Sequence, residues 1–476
     1  MAQTASGEYI TCGITHGFGK NNSQVYLIKT DNYGDSLWTR TYDFGIGSAG
    51  NDLQMTNGGG FIIAGRTIVE NSHDVLLLKV GVDGGFEWAK AYGGSGDDWA
   101  EAVRQTSDGG YIVAGYTTSY GAGSMDIYLL KISANGDLEW TRTYGSTGND
   151  WAFDVWQNED DGFTLAGGMH GALPDADALL MRTNANGDVI WSSSIGGIED
   201  DYFYSVQQTD DGGFVAAGST FFGGSTDILL VKVDENGAET WTEQIGGVGA
   251  KGCYAVKQSN DEGYVLAGFH VPSFFLADGY LVRTDAAGDV LWTSSFGGVD
   301  DDQLTGLVFT VEGGYMLFGY TFSFGFGGAE FYYVKTDADG NDNCEEFNSD
   351  IAFPDPNIDY EPWEPEENSG GDVIELSAII GAGGFTQTNC SSLDVQDVVA
   401  MDDDISVYPN PACDMLYVQS TQLADNFSWR ILNLYGQVVA TGIFPSGHGT
   451  IDISSISDGQ YVLEYQHSHV IFTVIY

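Results

Sequence analysis

The sequence predicts an all-β chain, a seven-bladed β-propeller of four-stranded antiparallel blades followed by a small C-terminal Ig-like β-sandwich. Three observations carry that prediction. A small residue followed by glycine, or a close variant, recurs at Gly13, Gly65, Gly115, Gly167, Gly218, Gly268 and Gly319, in steps of 52, 50, 52, 51, 50 and 51 residues. Self-similarity at that period marks a repeat architecture. Each copy alternates apolar and polar residues in short runs separated by Gly, Asn and Asp turns, and helical periodicity is absent. A tryptophan recurs at one place, Trp38, Trp88, Trp140, Trp191, Trp241 and Trp292.

The third copy serves as the template. Ala100 to Thr106 reads as a first strand, Ser107-Asp108-Gly109-Gly110 as a turn, and Tyr111 to Thr117 as a second strand. After a looser loop come Asp126 to Ile132, the turn Ala134-Asn135-Gly136-Asp137, and a fourth strand from Leu138 to Tyr144 that carries Trp140. Gly and Asn stand where tight hairpins need positive φ. The repeated Trp is expected to pack between neighbouring blades, because each sheet needs a large apolar partner. The seventh copy has Cys344 in its place.

The propeller spans residues 1–344. Gln3 and Tyr9 have the separation of Gln105 and Tyr111, so the first blade is expected to be truncated at its N-terminus, with no leader peptide in view. Residues 345–400 read as an acidic linker, in which Asp372 to Thr388 is expected to supply a ring-closing strand. Cys344 and Cys390 flank the acidic, Pro-bearing part of this linker and are candidates for a disulfide, although spacing alone does not fix a pairing. Cys12 occupies a strand interior and reads as a small buried residue.

Charge narrows the partners. Asp and Glu number 68 against 16 Lys and Arg, a formal net charge of −52. Seven of the bases fall at one repeat position on the third strand: Lys29, Lys79, Lys131, Arg182, Lys232, Arg283 and Lys335. Nucleic acid and anionic membrane surfaces are disfavoured as partners, because both are bound by clustered Lys and Arg. No apolar run reaches the ~18 residues of a transmembrane span.

From about Met401 the pattern changes. Ile405-Ser406-Val407-Tyr408-Pro409-Asn410-Pro411 precedes Leu416-Tyr417-Val418, then Trp429 to Val439 with Leu434-Tyr435-Gly436, then Ile451 to Leu463 with Ser457-Asp458-Gly459-Gln460-Tyr461. These three motifs, in order and at the end of the chain, resemble the type A C-terminal sorting domain of type IX secretion cargo in Bacteroidetes. Unlike that family, the last residues, His467 to Tyr476, include no Lys or Arg. The resemblance assigns residues 401–476 to that domain. It implies passage through the type IX translocon, recognition by its sorting machinery, and a location that is secreted or at the cell surface. The repeats are similar to uncharacterised propellers often joined to such domains, and no activity comes with that likeness.

Topology separates two faces. In an up-and-down meander the 1→2 and 3→4 turns lie on one face, the 2→3 and 4→1 loops on the other. The first face has short, nearly identical turns. The second varies, and there the 2→3 loops carry Tyr120, Phe221, Phe222, Phe274, Phe275, Phe322, Phe324 and Phe326. The 4→1 loops carry Asp97, Asp98, Asp200, Asp201, Asp300 and Asp301, the candidates for a calcium ion; no cofactor is otherwise required. Lys251 gives one basic notch in that acidic rim. Aromatics beside carboxylates suit a glycan or a protein ligand, so the chain reads as a binding or adhesion module. The plainer account has the Phe residues folding over blade ends and the Asp residues capping turns. Two alternatives stay open: a glycan-active enzyme with acids at the channel, and a passive structural surface protein. A second acidic set opens the third strands, at Asp74, Asp126, Asp177, Asp227, Asp278 and Glu330, and its regularity favours a structural role. His16 and His170 sit at equivalent repeat places and form no evident metal cluster.

Overall fold

A computed structural model describes residues 1–16, 22–45, 47–170, 175–222, 224–272, 276–324 and 328–342, together with strand backbones between 351 and 382 and between 405 and 474. The chain divides into two compact units, Met1–Ser391 and Ser392–Tyr476. Every regular element among the described residues is a strand.

The first unit is a seven-bladed propeller. Blade 3 is typical: Asp98–Gln105, Tyr111–Thr117, Asp126–Ile132 and Leu138–Gly145 form an antiparallel meander in sequence order. First strands touch the first strands of neighbouring blades, so they are innermost. The apolar core lies between blades. One such layer joins Ile112, Ala114, Ile127 and Leu129 of blade 3 to Val155, Phe163, Leu165 and Met181 of blade 4. The repeated Trp extends these layers outward, as the sequence predicts. The Trp140 ring lies 6.2 Å from Phe163, and Trp241 lies 5.7 Å from Tyr264, each in the next blade.

The repeated glycine has a different cause. It stands opposite a β-bulge on the innermost strand: Ala114 pairs with Ala102 and Gly115 with Ala100, leaving Glu101 extra. A Cβ on Gly115 would lie 1.9 Å from the Trp99 carbonyl oxygen, and one on Gly218 1.8 Å from that of Tyr202. Only glycine lets the bulged carbonyl approach so closely. The same skip recurs in blades 2, 4, 5, 6 and 7.

Gln3 pairs with Tyr9 as Gln105 pairs with Tyr111, so Ala2–Gln3 takes the place in blade 1 that the end of the first strand takes in blade 3. The seventh sheet shows three strands among the described residues, Asp302–Phe309, Tyr315–Thr321 and Glu330–Thr336. It meets blade 1 directly. Tyr333 and Thr11 share a hydroxyl hydrogen bond, Phe331 lies 5.6 Å from Tyr26, and Lys335 Nζ donates to Asn32 O at 3.0 Å.

The expected ring-closing strand is corrected by these contacts. Asp372–Leu376 instead pairs with Ala89–Gly93, the outer edge of blade 2, and Ile379–Ala382 with Arg40–Asp43 of blade 1. Ile351–Ala352, Asp359–Pro362 and Glu366–Asn368 add in the same antiparallel way to blades 5, 4 and 3. The linker thus runs back around the ring as a fifth strand on five outer edges, satisfying backbone groups that a fourth strand leaves open. Cys344 and Cys390 lie outside the described residues.

In the second unit, Ile405–Tyr408, Met415–Ser420 and His448–Asp452 form one antiparallel sheet. Val438–Phe444, Phe427–Asn433, Gly459–Tyr465 and Ser468–Val474 form the other. Most side chains that would define a sandwich interior lie outside the described residues.

Replacing Gly218 with Ala is expected to destabilise the propeller by ~1–3 kcal/mol in urea unfolding. Gly58→Ala, where a Cβ meets nothing within 4 Å, is expected to stay within about 0.5 kcal/mol of the parent.

Candidate functional site: the loop face and channel mouth

The rim acids divide by depth. Asp97, Asp200 and Asp301 each accept a backbone N–H from the blade before, from His73 at 2.9 Å, Ala176 at 2.9 Å and Ala277 at 2.8 Å. Asp300 is exposed, and its N–H donates to Ser323 Oγ at 2.9 Å. Asp98 and Asp201 are buried at the start of first strands. Burial raises both carboxyls, Asp201 to about 6 with Asp177 and Asp200 adding to the effect.

The loop aromatics also divide. Tyr120 folds over its blade end, donating to Gly93 O at 2.8 Å with its ring 6.0 Å from Tyr128. Phe324 is half-buried, 5.7 Å from Tyr332. Phe221 and Phe322 are exposed, the latter edge-on to Tyr320. Phe222 ends the strand Phe214–Phe222, while Phe274, Phe275 and Phe326 lie outside the described residues. Lys251 requires a correction. It makes no basic notch, because its side chain is fully buried and its ammonium donates to Val248 O at 2.8 Å.

The channel holds a set that the sequence reading missed. The bulge adds one residue to each innermost strand, so Asn51, Glu101, Phe153, Tyr204, Tyr254 and Thr305 occupy one level of the ring. Their alignment was visible in the repeats. Their unlikeness from one copy to the next was the available signal.

The level is lopsided. Blades 4 to 6 present an aromatic arc, with Phe153 5.1 Å from Tyr204 and Tyr204 5.3 Å from Tyr254, flanked by Tyr202 and Phe269. Blades 2 and 3 present polar groups. Asn51 Nδ2 donates to Ala100 O at 2.9 Å and to Glu101 Oε2 at 3.3 Å. Burial pushes the Glu101 carboxyl up to about 7, against the opposing pull of Arg66. Arg66 lies 3.9 Å over the Trp99 ring, and Trp99 stacks on Tyr116 at 5.5 Å.

Three residues nearer the turn face, Arg104 crosses between blades, with Nη1 2.5 Å from Asp52 Oδ2 and Nη2 2.6 Å from Asp154 Oδ1. Each carboxylate also accepts an N–H of the following blade, from Val103 at 3.0 Å and from Val206 at 3.0 Å. An ionic layer therefore lies toward the turn face, below the mixed aromatic and polar layer. A single acid faces aromatic rings there, an arrangement suited to gripping a ligand with apolar faces and hydroxyl edges. Among the described residues no group of three or more His, Cys, Asp or Glu encloses a metal position. No described helix is long and apolar enough to cross a membrane.

Fold and C-terminal motifs together define the class, a repeat β-propeller joined to an export domain. Residues 406–473 match the family described as the secretion system C-terminal sorting domain. The chain is thereby type IX secretion cargo, destined for the cell surface or for release. No curated protein matches it. Among solved structures it is similar to PorZ, described as an essential bacterial surface component of the type IX secretion system of Porphyromonas gingivalis. The identity is 12%, coverage is 100% of this chain and 59% of that one, and the TM-score is 0.37. It is also similar to a fungal alcohol oxidase of the AA5 family in complex with copper, at 13% identity, 99% and 95% coverage, and a TM-score of 0.37. This chain thus spans 59% of the length of the first. At these scores neither likeness carries an argument about activity.

Replacing Arg104 with Met leaves Asp52 and Asp154 facing each other, so a loss of ~3 kcal/mol is expected at pH 7. Without the guanidinium both carboxyls titrate higher when folded than when unfolded. Denaturant unfolding of the variant is therefore expected to show stability regained as pH falls from 7 to 5.

Proposed function

We propose that the chain is an exported binding module that grips a glycan on its loop face, where the channel opens. The observation that carries this reading is the lopsided level of bulged residues, an aromatic arc of Phe153, Tyr204 and Tyr254 opposite Asn51 and Glu101. Sugar rings stack their C–H faces on aromatic rings, while amide and carboxyl groups take their hydroxyls. The varied loops, with Phe221 and Phe322 exposed, supply further contact around the mouth. In this reading the module serves adhesion at the cell surface.

A second reading has one observation in its favour. The Glu101 carboxyl, raised to about 7, is poised as a general acid on an extracellular glycan. Glycoside hydrolysis generally calls for a second carboxylate about 5–10 Å away. Asp52, the next acid along this side, is committed to Arg104, so binding is favoured over turnover.

Glycan-array screening of the full chain, followed by titration of the best ligand, tests the proposal. Tyr204→Ala and Tyr254→Ala are each expected to weaken binding roughly tenfold, and Phe324→Ala, half-buried on the rim, to change it little. Turnover of a polysaccharide that Glu101→Gln abolishes would overturn the binding reading. Retention of a protein ligand with no glycan bound would overturn the glycan.

A further inference from the structure

With 16 Lys and Arg against 68 Asp and Glu, every base in this chain has acids in excess to pair with. Among the described residues of the propeller, most do. The third-strand bases, Lys90, Arg104 and Arg142 all make ion pairs. Lys251 and Arg40 donate to backbone carbonyls instead, to Val248 O at 2.8 Å and Thr39 O at 3.0 Å. Lys257 of blade 6 reaches across the channel to within 5.9 Å of the Trp156 ring of blade 4, in the field of the same Asp52 and Asp154 that hold Arg104. Arg66 is the exception. Among the described residues its guanidinium has neither a hydrogen bond nor an ion pair.

The side chain is nevertheless held in place. Arg66 pairs in register with Ala49 on the inner strand of blade 2, where blades 3, 4 and 5 carry Trp99, Trp151 and Tyr202. With only a methyl group at position 49, the arginine lies across to blade 3, 3.9 Å over the Trp99 ring. Trp99 is itself fixed, stacked on Tyr116 at 5.5 Å and 5.3 Å from the His73 ring. The repeat does not require an arginine here, because the equivalent second-strand positions hold Tyr116, Gly168, Ser219, Phe269 and Tyr320.

Both acids of this corner have other partners. Asp97 accepts the His73 N–H at 2.9 Å and lies 3.1 Å from His73 Nδ1. Glu101 accepts from Asn51 Nδ2 at 3.3 Å, and burial, which raises its carboxyl to about 7, leaves less negative charge beside the guanidinium. A half-buried arginine is thus fixed by its flat face at the channel mouth with its N–H donors open.

We propose that Arg66 receives a carboxylate of the ligand, so that the glycan gripped at the mouth is an acidic one, built with uronic acids or other carboxylated sugars. The inference rests on the glycan reading of this site and names the ligand class within it. A sugar ring lying on the arc of Phe153, Tyr204 and Tyr254 turns its edge substituents toward blades 2 and 3. Hydroxyls there meet Asn51 and Glu101. A carboxylate meets the guanidinium, whose parallel N–H groups match its two oxygens. Stacking on Trp99 sets the plane of that fork before the ligand arrives, so little side-chain freedom is lost on binding. The net charge of −52 repels such a ligand from a distance, and salt screens that repulsion more than it screens the close contact at Arg66.

An array of carboxylated oligosaccharides, each beside its carboxyl-reduced neutral counterpart, tests the proposal on the full chain. The probes are fragments of polygalacturonate, alginate and hyaluronan, with the best pair carried into calorimetric titration. The carboxylated member is expected to bind roughly 10- to 100-fold more tightly, the range of a charge-assisted hydrogen-bonded contact. Arg66→Gln is expected to erase that difference while still binding the neutral member and keeping a Tm near the parent's, which shows that it folds. Arg66→Lys, with the charge but not the fork, is expected to recover only part of it. Arg40→Gln, which removes an arginine stacked 5.4 Å over Trp38 on an outer strand, is expected to change neither affinity. Equal binding of the two members, or an acid preference that survives in Arg66→Gln, would overturn the inference and leave the glycan reading standing. Sulfated oligosaccharides bound as tightly as carboxylated ones would overturn the carboxylate. Binding of neither member of any pair would overturn the glycan reading and this inference with it.

Discussion

The propeller depends on one contact, the meeting of a bare glycine with the carbonyl of a bulged innermost strand. Each innermost strand lines the channel, and a bulge bends it there by adding a residue on one side of the ladder. That residue needs room on the partner strand, and a Cβ at Gly115, Gly167, Gly218, Gly268 or Gly319 would occupy it. The glycine that marks the repeat in sequence is thus the condition for the bend. The bend in turn delivers one variable residue per blade to the channel.

From this follows the inequality of the two faces. The turn face is fixed by contacts that recur from blade to blade. Gln157 accepts the N–H of Ser107, Gln208 that of Glu159 and Gln258 that of Asp210, each reaching to the preceding blade. The third-strand bases hold the same turns, Lys131 to Asp108 and Lys232 to Asp211 at 2.9 Å and Arg182 to Asp160 at 2.8 Å. With seven bases placed there, few remain for the loop face. Its acids are answered by backbone N–H groups, hydroxyls and, once, a buried lysine. Sequence on that face is free to vary because ring closure does not rest on it.

Fold and faces were legible in the sequence because a period near fifty residues repeats every strand and turn, even fixing Gln3 against Tyr9. The site was less legible, and the reasons are physical. A bulge adds a residue without breaking the apolar pattern, so Phe153, Tyr204 and Tyr254 read as ordinary strand positions. Lys251 read as exposed because its solvating carbonyls, Val248 and Gly249, are backbone groups with no signature. Arg66 and Trp99 belong to different blades, and only the junction between them makes the two neighbours. The linker's fifth strands pair through backbone alone, which composition does not encode. The export domain was legible because its motifs are sequence-specific.

The central claim is that the bulge turns one residue per blade into the channel while its neighbours stay between sheets. Thiol reactivity measures this directly, with single cysteines at Phe203, Tyr204 and Ser205 in a chain whose own five cysteines are replaced by Ala. Tyr204→Cys is predicted to react with a small charged methanethiosulfonate far faster than Phe203→Cys, whose parent side chain is fully buried. Equal protection of the two, or faster reaction at position 203, would contradict the account.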